Sequence, residues 1–427
     1  MSDLLRRPLI GPGGQPEGRL SDVIIRLRGR DYPMVTGLVA KAGKREVFVP
    51  VGQVEALQAD EFRVAGRLAE ASGFERREGE VLLRADVLGH RVIDVEDVEL
   101  VRAHDLRLRS RPDGWVVDGL DVRPHHAYLF GLIKSEAPPQ WRDWKSFEPL
   151  IGHAHSALTR GPFGRLGKLK PADLADLLED ANRTESREIL LTVHADPELE
   201  ADVFEELEPD SQVRLLREKS DLEIAEVLAR MRADDAADAV NDLPQARRQP
   251  VLDALPAGQR TKVMTLMGFN PSSAGGLMAL DFLTASPAAR VADVLGLVRG
   301  ARSMQPEAIT GVHAVEAENR LIGTATVIAL LQADPDSRLS DVMATEPVRV
   351  LPDTDAEDVA LLMTDYNLLT VPVVDERDQV LGVITVDDIL ETVIPEEWRR
   401  REPSPHPGHR AGQPFDAGPE DARDSGE

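Results

Sequence analysis

Three aspartates, Asp234, Asp238 and Asp242, stand at i, i+4 and i+8 in MRADDAADAVNDLP, with Asp235 beside the first. On a helix this spacing puts all three carboxylates on one flank. Like charges one turn apart oppose a helix by about 0.2–0.5 kcal/mol per pair, and a bound divalent cation would relieve that cost. Mg²⁺ takes carboxylate oxygens and keeps several of its waters. A few acids facing a second acidic surface therefore suit a weak, concentration-dependent Mg²⁺ site that acts as a conformational clamp. A second cluster, Asp387, Asp388, Glu391, Glu396 and Glu397, supplies such a surface. Two plainer readings stand beside this one. Acidic runs on short helices also serve as solvated faces, and acids at a helix start complement its dipole, which suffices for Asp387 and Asp388 but not for Glu396 and Glu397.

The charge that makes this chemistry plausible is localised. The 427 residues carry a formal charge of −25. The segment from Pro171 to Asp242 holds 22 acidic against 7 basic residues, a net of −15 and more than half of the total. Nucleic-acid binders concentrate Lys and Arg, so a phosphate backbone is excluded as partner, and cations or basic surfaces are expected instead. With no cysteine, disulfides, thiolate metal sites and a Cys nucleophile are all impossible. No run approaches the roughly 18 apolar residues of a spanning helix, and MSDLLRRPLI lacks a signal-peptide core. A cytoplasmic protein without membrane insertion is the expectation. His125/His126 and His153/His155 have no third ligand tied to them by pattern. No nucleophile motif, Walker loop or dinucleotide loop occurs, and no enzyme is expected.

The elements that must position these acids follow from periodicity. Residues 1–18, rich in Gly and Pro, read as a loose leader. Residues 19–165 carry short Val/Ile/Leu runs broken by Gly, Pro and charged turns, the grammar of a strand-rich barrel-like region with its linker, with Trp141 and Trp144 packing the barrel edge. From 170 to 268 the pattern is helical: Leu174, Leu177, Leu178 and Ala181 fall at i, i+3, i+4 and i+7. An apolar doublet recurs every twelve residues, at Val203/Phe204, Leu215/Leu216, Val227/Leu228, Ala239/Val240, Val251/Leu252 and Val263/Met264. Pro197, Pro209, Pro244 and Pro256 mark helix starts, where a missing N–H is tolerated. Helices this short need neighbours to bury their apolar faces, so the region is read as one superhelical repeat domain. Residues 269–334 and 335–397 then repeat a helix–strand–strand–helix order, an internal duplication, and 398–427 reads as a disordered tail. The fold class is thus multidomain α+β: a β-barrel-like N-terminal region, an all-α superhelical repeat domain and a tandem α/β pair.

Three resemblances sharpen this. VLLRADVLGHRVIDVEDVELVRAHDLRL, with the later WKSFEPL, resembles the PRC-barrel family. LLTVPVVDERDQVLGVITVDDIL, with ITGVHAVEAENRLIGTATVIALL as its first copy, resembles a pair of CBS domains. In that family a Gly, a hydroxyl and a carboxylate close on an adenosine ribose. The resemblance places them at Gly382, Thr385 and Asp388, so ATP or another adenine nucleotide is an implied ligand. The first copy offers Gly323, Thr326 and Ala329, without the carboxylate. A strand end followed by a helix cap explains Thr385 and Asp388 equally well.

Taken together, residues 170–397 resemble the cytosolic part of the MgtE magnesium-channel family, through KPADLADLLEDA, MRADDAADAVNDLP, LLQADPDSRLSDVM and the CBS segment above, in that order. The resemblance implies Mg²⁺ bound between the helical domain and the CBS pair, with candidate ligands Asp234, Asp235 and Asp238 on one side and Asp388, Glu391, Glu396 and Glu397 on the other. It also implies a homodimer through the CBS domains. Departures are Asn367 where the family has Asp, Glu391 where Asp is common, PSSAGGLM without its preceding acids, and the absence of the family's pore. The expected function is therefore a cytosolic Mg²⁺-sensing regulator in magnesium homeostasis or transport, closing the helical domain on the CBS pair and acting on another protein, a membrane transporter in trans being one candidate; the alternatives are an adenine-nucleotide-sensing module and a ligand-free scaffold.

Overall fold

A computed structural model describes residues 4–5, 7–29, 31–54, 62–77, 79–123, 138–149, 166–302 and 304–394. The four histidines named above, together with Glu396 and Glu397, lie outside these residues. The chain divides into two compact units, Met1–Gln212 and Val213–Glu427.

The first unit is built on two long, bulged strands. β2 (Pro16–Arg28) and β3 (Asp31–Ala42) pair antiparallel, with register shifts at Leu20/Asp22 and Ile24/Ile25. The first shift places its extra residue, Ser21, in β2 and the second places Thr36 in β3, and Asp22 through Ile25 are consecutively buried. Extra local twist curls the sheet over a core containing Leu20, Val23, Ile25, Leu38, Leu106, Leu120 and Phe147. β1 (Pro8–Ile10) pairs antiparallel with the start of β2, so residues 8–10, read from the sequence as part of a loose leader, belong to the sheet. The reason is the apolar Leu9, which enters the core. β4 (Arg45–Pro50) returns on β3 through Gly43–Lys44, with Gly43 at φ +61°, the sign that tight hairpin turns require.

Around this nucleus, β5 (Phe62–Arg63) pairs with β1, β6 (Glu80–Leu82) with β2, and β9 (Asp105–Arg111) with β10 (Gly114–Asp121). β10 also joins β3 to β11 (Trp141–Asp143), completing a nine-stranded, almost wholly antiparallel half-barrel. A second sheet pairs β12 (Phe147–Pro149), β7 (Arg91–Asp94) and β8 (Glu99–Arg102). Trp144 is buried as expected, but Trp141 is 40% exposed, its ring carrying the Arg107 guanidinium at 5.4 Å. Helices α1 (Pro171–Asp180), α2 (Arg183–Val193) and α3 (Pro197–Glu205) follow. Asn182 and Asp196 cap the second and third through their side chains, and Pro171 and Pro197 occupy first helical positions.

The boundary between the units falls within α4 (Pro209–Leu216). In the second unit, α5 (Asp221–Leu228), α6 (Ala233–Asp242), α7 (Gln245–Ala254) and α8 (Ala257–Leu266) alternate, α5 packing on α7 and α6 on α8. The twelve-residue doublets are their buried seams, with one exception: Val263 is buried, whereas Met264 is 56% exposed.

Two α/β modules complete this unit. The first contains β13 (Leu283–Ala285), α9 (Val291–Gly300), β14 (Gly311–Val315), β15 (Leu321–Thr326) and α10 (Val327–Gln332). The second contains α11 (Ala356–Tyr366), β16 (Thr370–Val374), β17 (Val380–Thr385) and α12 (Val386–Val393). The duplication extends to their connections. Thr324 of β15 bridges Ala344 in the segment between the modules, and Val383 of β17 bridges Ala279 in the segment before them. Each approach is so close that a Cβ at Gly323 or Gly382 would lie 2.8–2.9 Å from the facing carbonyl oxygen.

Candidate functional site

The two acidic clusters meet in the second unit, and they meet around an arginine. α6 begins after Arg232, which is its N-cap residue and makes no side-chain cap bond. Asp234 and Asp235 lie in the helix's first turn. α12 begins after Thr385, whose hydroxyl accepts from the Asp388 N–H at 3.3 Å and donates to Asp388 Oδ2 at 2.8 Å. The other carboxylate oxygen of Asp388 accepts from Arg232 Nη1 at 2.9 Å. Arg232 Nε donates to Asp235 Oδ2 at 2.6 Å and Nη2 to Glu391 Oε2 at 3.4 Å. One guanidinium thus bridges two acids of α12 and one of its own helix.

Burial makes these charges consequential. Asp234 is 8% exposed and Asp388 4%. Burial pushes the Asp234 carboxyl up to about 7, the Asp388 charge adds to the rise, and Arg232 opposes it. Burial also raises Asp388, against the lowering influence of Arg232 and of its bonds to Thr385. Arg232 is ion-paired with Asp235, Asp388 and Glu391, and the buried Asp234 lies close enough to feel both Arg232 and Asp388. Asp238 and Asp242 stand apart from it: both are exposed, farther round the helix than Asp234. The Asp238 carboxyl is raised to about 6 by the protein around it and then by Asp242, a shift that solvent reaching an exposed side chain works against.

Of the residues singled out from sequence, Asp234, Asp235, Asp388 and Glu391 therefore come together, while Asp238 does not join them. Among the described residues, no three acids or histidines converge as a ready metal cage. The Gly382 position is accounted for by what it faces, the Met278 side chain and the Ala279 carbonyl. In the first module, Thr326 caps the Ala329 N–H at 3.1 Å with no carboxylate to complete a pair. Asn367 closes α11 at φ +51°, a left-handed conformation that Asn tolerates better than most side chains. Arg232 itself was missed. Its signal was present: a cation at a helix N-terminus opposes the dipole, and such a misplacement asks for a partner elsewhere in the fold.

Comparison with known proteins places this unit. Residues 169–272 match the MgtE intracellular N domain and residues 339–394 a CBS domain. The chain is 32% identical to the magnesium transporter MgtE of Thermus thermophilus over 231 residues, 53% of this chain and 51% of that protein. It is 24% identical to the magnesium transporter MgtE of Bacillus subtilis over 231 residues, again 51% of that protein. The chain thus spans about half the length of the curated relatives it matches. A solved cytosolic domain of the Mg²⁺ channel MgtE in complex with ATP superposes with a TM-score of 0.51 at 30% identity, covering 54% of this chain and 94% of that one. No helix among the described residues is long and apolar enough to cross a membrane.

Proposed function

We propose that this chain, in which an MgtE intracellular N domain leads into CBS domains, is a Mg²⁺-responsive regulatory protein of magnesium transport. The observation that carries the reading is the buried Asp234–Asp388 seam, where burial and the Asp388 charge raise the Asp234 carboxyl. A hydrated Mg²⁺ would offset the repulsion between these two carboxylates through oxygen ligands and retained waters. The proposed ligands are Asp234, Asp235, Asp388 and Glu391, with Asp238 at the open side and Glu396 and Glu397 beyond the described residues. Binding would hold α6 against α12, and release would free both faces for a transporter in trans. The setting is cytoplasmic, and no catalytic role is assigned.

The test is a Mg²⁺ titration of the full chain followed by hydrogen exchange. Amides of α6 and α12 should gain protection at millimolar Mg²⁺, and Asp234→Asn should weaken the response about tenfold or more, because a charged carboxylate ligand becomes a neutral amide. Unchanged exchange up to 20-fold excess over ~1 mM, the scale of weak Mg²⁺ sites, would remove the reading.

The proposed assembly is a homodimer through the CBS helices. Leu361 and Tyr366 on α11 and Leu390 on α12 are exposed, and these helices pack together. Apolar groups so grouped mark contact surfaces. Analytical ultracentrifugation should find a dimer that Leu361→Glu with Leu390→Glu converts to monomer. A wild-type monomer at all concentrations would overturn this assignment.

A second reading is favoured by one specific pair. Thr385 and Asp388 present a hydroxyl and a carboxylate in direct contact, donors and acceptors suited to a ribose diol, and a solved relative holds ATP. An adenine nucleotide would then be a second signal read by the same protein.

A further inference from the structure

We propose that Arg232 is a built-in competitor of Mg²⁺ and the residue that sets the affinity of the seam: it holds α6 on α12 at low Mg²⁺, and the metal must displace it to bind. The inference rests on the reading that this seam receives Mg²⁺.

Of the acids proposed as ligands, three already bond the same guanidinium. Arg232 Nε reaches Asp235 at 2.6 Å, Nη1 reaches Asp388 at 2.9 Å and Nη2 reaches Glu391 at 3.4 Å. Asp388 is the decisive one. Its Oδ2 is committed to Thr385, through the hydroxyl at 2.8 Å and the backbone N–H at 3.4 Å, so Oδ1 is the oxygen open to a metal, and Arg232 Nη1 donates to it. A guanidinium and a divalent ion on one carboxylate oxygen repel at close range, most strongly where burial limits screening by solvent, and Asp388 is 4% exposed. Arginine keeps its charge at any working pH, so titration does not relieve the conflict. The ion has to move it.

Displacement is feasible because the guanidinium spans two helices. Its bond to Asp235 lies within α6, whereas those to Asp388 and Glu391 cross to α12, over 150 positions along the chain. The side chain is 22% exposed, so it can swing toward solvent while Nε keeps Asp235, leaving Asp234, Asp388 and Glu391 to the ion. The two crossing bonds also have an effect without metal. They neutralise Asp388 beside the buried Asp234, which otherwise set like charges against each other across the seam. Arg232 therefore narrows the response to Mg²⁺ from both ends. Docking persists with less metal, and the metal binds with an apparent affinity reduced by the fraction of molecules in which the arginine is still seated. An arginine that instead oriented the carboxylates for the ion would give the opposite sign.

Hydrogen exchange of residues 233–242 and 386–393 in the full chain, first in EDTA and then along a MgCl₂ titration, separates these cases. In Arg232→Gln, protection in EDTA should fall, and the Mg²⁺ concentration giving half-maximal protection should drop about tenfold or more, the share of affinity that a mostly seated arginine withholds. Recovery of protection on adding Mg²⁺ would also show that this variant is folded. Arg232→Lys, which keeps the charge but loses the fork, should lie between, and decides the sign should the glutamine variant fold poorly. Unchanged protection in EDTA, or a Mg²⁺ midpoint that stays or rises, would overturn the competition and leave the Mg²⁺ site standing. No Mg²⁺ response in any of the three proteins would remove the site itself, and the competition with it.

Discussion

Between pH 7 and pH 5 His313 should withdraw about 2 kcal/mol of stability from the second unit, against the opposite contribution of the raised Asp234 and Asp238 carboxyls, and His313→Leu should remove the His313 part alone. His313 lies on β14, is 1% exposed, and neither ring nitrogen has a hydrogen-bond partner. Its nearest ring is Phe282, edge-on with centroids 6.2 Å apart. Burial alone drives its pKa down, from the ordinary 6.5 to about 4. The folded protein thus binds this proton less readily than the unfolded chain does. Between those two values the unfolded state carries more protons, so stability falls as pH falls, beginning near 6.5 and levelling off below 4. The full loss is about 3 kcal/mol, from a shift of about 2.5 units at 1.36 kcal/mol each. Leucine fills similar volume without two unpaired polar atoms, and unsatisfied buried groups cost about 1–3 kcal/mol each. The variant should therefore be at least as stable at pH 7 and clearly more stable at pH 5. Urea denaturation at the two pH values measures this, and parallel pH slopes for the two proteins would refute it.

His313 also shows where sequence reasoning stops. Within ITGVHAV it sits in an apolar strand whose alternation says only that one face is covered. Whether a buried imidazole finds a partner depends on the residues across the sheet, and Phe282, 31 positions earlier, offers none. Arg232 is the same lesson with the opposite result: its partners Asp388 and Glu391 are over 150 positions away. What was legible was local. Prolines 197, 209, 244 and 256 do stand at helix starts, as N1 or N-cap residues, because a missing N–H has consequences within one turn. The helix–strand–strand–helix duplication was legible for the same reason. The bulges of β2 were not, since they are set by its pairing with β3, and they hid the strand's register. The acidic flank was half legible. Spacing grouped Asp234 with Asp238, but only packing decides that Asp234 is buried against α12 while Asp238 faces solvent.

The doublet repeat carries the other large effect, because sequence period treats its members alike and the structure does not. Leu228 on α5 is fully buried, and truncating it to Ala removes apolar contact and leaves a cavity. Leu228→Ala should cost about 2–5 kcal/mol in chemical denaturation, the range for buried leucines. Met264 occupies the same register on α8 yet is 56% exposed, so Met264→Ala should change stability by less than about 0.5 kcal/mol. The difference has a cause in the array's geometry. α8 is the last helix of the series, and no further helix follows to cover its outer face before residues 269–279 run to the second α/β module. A terminal repeat unit needs a less apolar outer side than an internal one, and α8 meets this with the exposed Thr261 and Thr265 beside a single methionine. If Met264→Ala instead proved as costly as Leu228→Ala, and more so at higher protein concentration, the exposed methionine would be covered by a second copy of the chain, and α8 would be an interface in place of a cap.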